Sequence, residues 1–157
     1  MQIELIVIGK TDSKEIESLV ALYARRVNRY CKFGITVLPD VRNTRSLTVK
    51  QQRTAEGEAL VRQFSEGDFV ALLDERGEEQ RSVEFALWLQ KRLNSGTKRL
   101  VVVIGGPYGF SDEVYARAHA RLSLSRMTFS HQIVRAIFAE QLYRAFTILR
   151  NEPYHHE

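Results

Sequence analysis

Hydrophobic positions along this chain follow two alternating rhythms. Short apolar runs at Gln2–Ile8, Phe33–Leu38, Asp68–Leu73 and Val101–Ile104 read as strands, the last of them buried on both faces. Between them lie longer stretches with a 3.6-residue period. The first runs from about Asp12 to Tyr30, with Ile16, Leu19, Val20, Tyr23, Val27 and Tyr30 on one side. Further helices are predicted over Val49–Phe64, Ser82–Leu93, Asp112–Ala120 and His131–Leu149. Strands alternating with helices predict an α/β fold: a mainly parallel sheet with helices on both faces, in one domain over residues 1–157.

Polar residues punctuate this pattern. Asp12 with Glu15 resembles a capping box, Ser82 is placed to cap the third helix, and Asn94-Ser95-Gly96 ends it. Pro39-Asp40 stops the second strand and opens a polar loop over 40–47. Arg53, Glu56, Glu58 and Arg62 are expected on exposed sides of the second helix, and DERGEE (74–79) as an exposed loop. Arg121–Phe129, RLSLSRMTF, is a strand-like run rich in hydroxyls. The last helix carries Ile133, Val134, Ile137, Phe138, Leu142, Ala145, Phe146 and Leu149, a stripe wider than one surface helix needs. It is either deeply packed or shared with a second subunit, and the commonness of two-fold dimers favours sharing.

Composition adds a few bounds. At 157 residues and 44% hydrophobic content the chain can bury a sizeable core. No apolar run approaches the roughly 18 residues of a membrane span, and MQIELIVIG lacks the basic start of a signal peptide. Cys31 stands alone, so no internal disulfide forms; the expectation is a cytoplasmic protein. Of the 23 positive residues 17 are arginine, and the net charge is +4. Arginine favours bidentate phosphate contacts and base stacking, which suits RNA, although genomic base content produces the same bias.

Chemistry concentrates in two places. VVVIGGPYGF (101–110) is a buried strand breaking into glycines, and Ser111-Asp112-Glu113 then reads as a cap and an acidic first helical turn. That arrangement is the carboxyl-end crevice where α/β sheets bind ligands, or else a plain connection. G-G-P-x-G is neither the dinucleotide nor the Walker pattern, and the acids that follow suit a cationic ligand better than a polyphosphate. The second place is the tail, NEPYHHE: Tyr154 could stack on a base and His155 could handle a proton, unless the end is simply frayed. Asp74 and Glu75 are paired acids, more often solvated than catalytic. His131 reads as a capping or packing residue, and Arg126 and Arg144 as phosphate contacts or solvated charges. Neither a metal framework nor a nucleophile elbow is visible, so no metal is expected.

IGGPYGFS (104–111), SLSRMTFSHQIVRAIFAEQLYRAF (123–146) and the closing NEPYHHE resemble the RlmH family, the SPOUT-superfamily methyltransferases of pseudouridine N3 in large-subunit ribosomal RNA. The likeness spans the whole chain, including the IELIVIGK opening and the LLDERG strand end. It implies a C-terminal trefoil knot, S-adenosylmethionine as cofactor, a homodimer, and 23S rRNA in the large subunit or assembled ribosome as partner. By motif match, cofactor contacts fall on Leu73, Gly105, Leu124, Ser125, Arg126, Met127, Thr128 and Phe129. Tyr154 and His155, in a tail supplied by either subunit, are the expected catalytic residues, and His131, Arg144 and His156 the expected RNA contacts. His156 departs from the family's usual basic residue, replacing a permanent charge with a titratable one. The rival reading is a non-enzymatic ribosome-binding or assembly factor on the same scaffold, which would not bind S-adenosylmethionine.

Overall fold

In the computed structural model, which describes residues 1–157, β1 (Gln2–Ile8) is buried from Ile3 onward. It pairs in parallel with β2 (Lys32–Leu38) on one side and β4 (Arg99–Ile104) on the other. β3 (Phe69–Glu79) flanks β4, and β5 (Ala120–Ser123) closes the sheet, giving the order β2-β1-β4-β3-β5 with every pair parallel. The helices are α1 (Lys14–Val27), α2 (Val49–Val61), α3 (Ser82–Asn94), α4 (Asp112–Arg117) and α5 (Ile133–Leu149). No helix is long and apolar enough to cross a membrane.

Because side chains alternate along a strand, each central strand feeds two cores. Ile3, Leu5, Val7, Leu100 and Val102 face Phe85, Leu89, Phe138, Leu142 and Phe146 from α3 and α5. Ile6, Ile8, Val101 and Val103 face Leu60 of α2 and Val114 of α4. This two-sided burial is why the strands read as continuous apolar runs.

Several local expectations are corrected. Ser13, not Asp12, caps α1: its Oγ accepts from the Ile16 N–H at 3.3 Å, while the Asp12 N–H donates to Gln132 Oε1 at 3.1 Å. α1 ends at Val27 rather than Tyr30, because the Asn28 amide bonds to Ala24 and Phe33 and turns the chain into β2. α2 stops at Val61, short of Phe64. Ser82 is the first residue of α3, not its cap; its hydroxyl donates to Gln141 Oε1 at 2.8 Å, and Glu84 accepts the Arg81 N–H at 2.7 Å. α4 is cut off at Arg117, because His119 docks on β3: its N–H donates to the Val70 carbonyl and its Nδ1 accepts the Val70 N–H.

The DERGEE segment is not a loop. It prolongs β3 across an irregularity between Leu73 and Glu78, after which Glu78 and Glu79 pair with Leu122 and Ser123. Gly77 permits that approach, since a Cβ there would sit 2.7 Å from the Arg121 carbonyl carbon. Only 121–123 of the hydroxyl-rich run is strand; the rest loops over the sheet's carboxyl end. Four members of the α5 stripe, Phe138, Leu142, Ala145 and Phe146, are buried within their own chain against α1 and α3, while Ile133, Val134, Ile137 and Leu149 are half-buried. Glu56, expected on an exposed side of α2, is also buried.

Candidate active site

The carboxyl ends of β3 and β4 open into a crevice of about 630 Å3, a volume suited to a cofactor-sized ligand. Its floor is the glycine loop after β4. The Gly109 N–H donates to the Gly106 carbonyl at 3.2 Å, and Gly109 sits at φ 77°, a left-handed conformation that glycine adopts without strain. A Cβ on Gly105 would come within 3.0 Å of the Phe110 ring, and one on Gly106 within 2.6 Å of the Glu56 carboxylate. The loop is therefore pressed between the ring and α2, and Arg53 Nε clamps its outer turn by donating to the Tyr108 carbonyl at 3.0 Å.

The opposite wall is the loop after β5. Ser123 Oγ donates to the Ser125 carbonyl at 2.8 Å, and Ser125 Oγ accepts the Met127 N–H at 3.0 Å, so the chain's own hydroxyls shape the turn. Thr128 Oγ1 donates to Glu75 at 2.6 Å, tying this loop to β3. Asp74 accepts from the Tyr115 phenol at 2.7 Å. Burial, and then that carboxylate, push the phenol's pKa up to about 12. The crevice thus combines backbone polar groups and an apolar wall with two carboxylates at its edge. That chemistry fits an adenosine bearing a sulfonium centre.

Of the residues expected to hold the cofactor, Leu73, Gly105, Leu124, Ser125, Met127, Thr128 and Phe129 line this crevice. Arg126 does not; its guanidinium lies 3.6 Å from Glu79 on the exposed surface. His131 also lines the crevice, with its carbonyl accepting from Arg135 Nε at 3.0 Å. Arg53 and Tyr115 complete the walls, and no motif in the sequence marked them.

The tail forms a separate, ordered cluster against α1 and α5. The Tyr154 phenol donates to Glu140 Oε1 at 2.9 Å, and its ring meets Tyr143 edge-on with centroids 4.7 Å apart. Arg144 pairs with Glu140, lies over the Tyr154 ring at 4.8 Å, and donates from Nη1 to His155 Nδ1 at 3.2 Å. Burial raises the Tyr154 pKa above the ordinary phenol range, with Tyr23 and Glu140 adding to the effect. His156 is exposed beside this cluster. None of Arg144, Tyr154, His155 or His156 lines the crevice of its own chain. Glu140, Tyr143 and Tyr23 were missed from sequence, because on paper they are ordinary helix positions. No group of three or more His, Cys, Asp or Glu side chains is placed to hold a metal.

A family model described as "Predicted SPOUT methyltransferase" matches residues 1–155. A protein of Christiangramia forsetii named "Ribosomal RNA large subunit methyltransferase H" is 55% identical over 99% of both chains. Proteins of the same name from Flavobacterium johnsoniae and Bacteroides fragilis are 53% and 50% identical over the full length of each chain. Among solved structures, a probable methylase family protein from Haemophilus influenzae matches with a TM-score of 0.50 at 15% identity. It covers 95% of this chain and 66% of that one, a likeness of fold alone.

Proposed function

This chain belongs to the SPOUT methyltransferase family, and from that premise we propose that it transfers a methyl group from S-adenosylmethionine to N3 of a pseudouridine in 23S rRNA. The supporting observation is the crevice between the Gly105–Gly109 loop and the turn at Leu124–Phe129. It is lined by the glycines, apolar side chains and edge carboxylates that a charged adenosyl donor requires. The family reading carries with it a C-terminal trefoil knot, a cytoplasmic setting and the large subunit or assembled ribosome as substrate.

Leu73, Gly105 and the 124–129 turn would hold the cofactor, which when bound supplies an already activated methyl carbon. The protein's remaining work is to align the base and to stabilise the charge that develops on it as its imide proton passes to water. Arg144 has only donors to offer, so its contact makes His155 Nδ1 an acceptor and leaves the ring's N–H at Nε2. In that tautomer the N–H sits at Nε2, a buried atom left without a hydrogen-bond partner, and once the tail opens onto RNA it can donate to a carbonyl of the base and stabilise the developing anion. The Tyr154 ring stacks on the base while its hydroxyl stays tied to Glu140. Arg144, His131 and His156 contact the surrounding RNA.

Because the tail cluster lies apart from its own crevice, the working site pairs the crevice of one protomer with the tail of a second copy. Met127 and Phe129, both exposed at the crevice rim, offer an apolar edge for that contact. The test is transfer of labelled methyl from S-adenosylmethionine to ribosomes from cells lacking this protein, with mass mapping of the rRNA. No heat on calorimetric titration with S-adenosylmethionine, together with no methylation of ribosomes, would favour the non-enzymatic assembly-factor reading.

A further inference from the structure

We propose that Glu56 selects the methyl donor: its buried carboxylate, set behind Gly106, favours a cationic sulfonium ligand in the crevice over the neutral thioether left after transfer. This rests on the reading of the crevice as an S-adenosylmethionine site and assigns one residue the discrimination between donor and product.

Glu56 projects from the inner side of α2 and is only 4% exposed. A Cβ built on Gly106 would lie 2.6 and 2.8 Å from its two carboxylate oxygens. Gly106 itself lines the crevice, so little more than the glycine backbone separates the carboxylate from a bound ligand. Oε1 accepts from Gln52 Nε2 at 3.1 Å, but Oε2 is buried without a hydrogen-bond partner in the protein. A buried carboxylate left half-satisfied is costly, and such sites persist where a ligand or a function requires them.

No structural ion pair explains it. Arg53, one turn back on α2, turns its Nε to the Tyr108 carbonyl and forms no ion pair with Glu56. Arg135 is committed to the carbonyls of Ile8, Gly9 and His131 and to Thr11. The ionisable groups that act on Glu56 are Asp40, from the connection after β2, and His131, from the turn before α5. Burial raises the Glu56 carboxyl above its ordinary range; Gln52 opposes the shift, Asp40 adds to it and His131 opposes it. Asp74 and Glu75 stand at the crevice's edge and already bond to Tyr115 and Thr128, where solvent screens them. Glu56 acts from inside, where a single charge at this range reaches roughly tenfold in affinity.

The experiment is calorimetry of the full chain with S-adenosylmethionine and with S-adenosylhomocysteine, which differ by the methyl group and its charge. In the wild type the ratio of the two affinities should rise with pH, as Glu56 ionises. Glu56→Gln should lower that ratio about tenfold at pH 8 and flatten its pH dependence. His131 also acts on Glu56 and lines the crevice, so the slope is read again in His131→Asn, where it should persist. A folded Glu56→Gln protein with the wild-type ratio at pH 8 overturns the proposal. Should that variant fail to fold, a flat ratio in His131→Asn overturns it instead. Failure of the wild type to bind either compound strikes the cofactor reading itself, a separate outcome.

Discussion

Tyr154 donates its phenolic proton to Glu140 Oε1 across 2.9 Å, and the same carboxylate holds Arg144, which in turn reaches His155. Glu140 thereby links Tyr154, Arg144 and His155, while Tyr30 bonds to Glu152 and Arg81 to Glu157. The tail's chemistry is a property of this network rather than of Tyr154 and His155 alone.

That network predicts graded losses. His155→Ala should reduce ribosome methylation about 10²–10³-fold, the usual cost of one donor to a developing anion. Tyr154→Phe keeps the ring and loses only the tether, so a roughly tenfold reduction is expected. Cofactor affinity should change less than about twofold in both, because neither residue lines the crevice. Wild-type rates for both variants would remove the tail from the mechanism.

A shared site makes a stoichiometric prediction. A chain disabled in its crevice by Gly105→Val, where Phe110 leaves no room for a side chain, should be inactive alone. So should His155→Ala. Mixed in equal amounts and allowed to exchange, half the dimers pair the two variants, each with one intact crevice–tail combination. About a quarter of wild-type activity should return. If activity stays at the level of the separate variants, each crevice works with its own tail.

Arg135 is 2% exposed and donates to the carbonyls of Ile8, Gly9 and His131 and to Thr11, joining the end of β1 to the start of α5. Arg135→Met keeps the volume and strands those carbonyls without donors. A destabilisation of about 3–5 kcal/mol in urea unfolding is expected. A loss below about 1 kcal/mol would mean that the carbonyls find other partners.

Gly57 marks the crossing of α2 on α4. A Cβ there would lie 2.1 Å from Ser111 Oγ. Alanine in mid-helix would ordinarily gain up to about 1 kcal/mol, but prying the two helices apart costs about 1–3 kcal/mol. Gly57→Ala should therefore destabilise, and pairing it with Ser111→Gly should recover part of the loss. Additive effects in the double variant would contradict the contact.

Two pH effects follow from burial. Tyr115 ionises at about 12 in the folded protein against 10.0 ordinarily. The unfolded chain loses this proton first, so its contribution is intact below pH 10 and fades as pH rises from 10 to 12. Melting temperatures over that range should fall less steeply in Tyr115→Phe; identical slopes would refute the shift. Burial likewise pushes the Cys31 thiol to about 11 from 9.0. Its alkylation at pH 8 should then be roughly a hundredfold slower than that of a free thiol, measured by mass spectrometry.

The sequence alone settled the layer architecture, the first four strands, the five helices and most of the crevice. Leu5–Ile8 and Leu100–Ile104 are apolar at every position because they are buried on two sides, and that requirement is written into local composition. The glycines at 105, 106 and 109 are legible for a similar reason: a break after a buried strand constrains which residue types fit.

Tertiary structure decided whatever depends on a partner distant in the chain. Glu78 and Glu79 read as loop, yet they are strand, because β5 supplies the hydrogen bonds and leaves their side chains in solvent. Glu56 has the composition of a surface residue and becomes a buried charge only because Gly106 and Asp40 converge on it from other elements. The α5 stripe could not declare its occupant, since an apolar face looks the same whether α1 and α3 or another chain covers it. Patterning specifies which faces must leave water; only the packed chain specifies what meets them there.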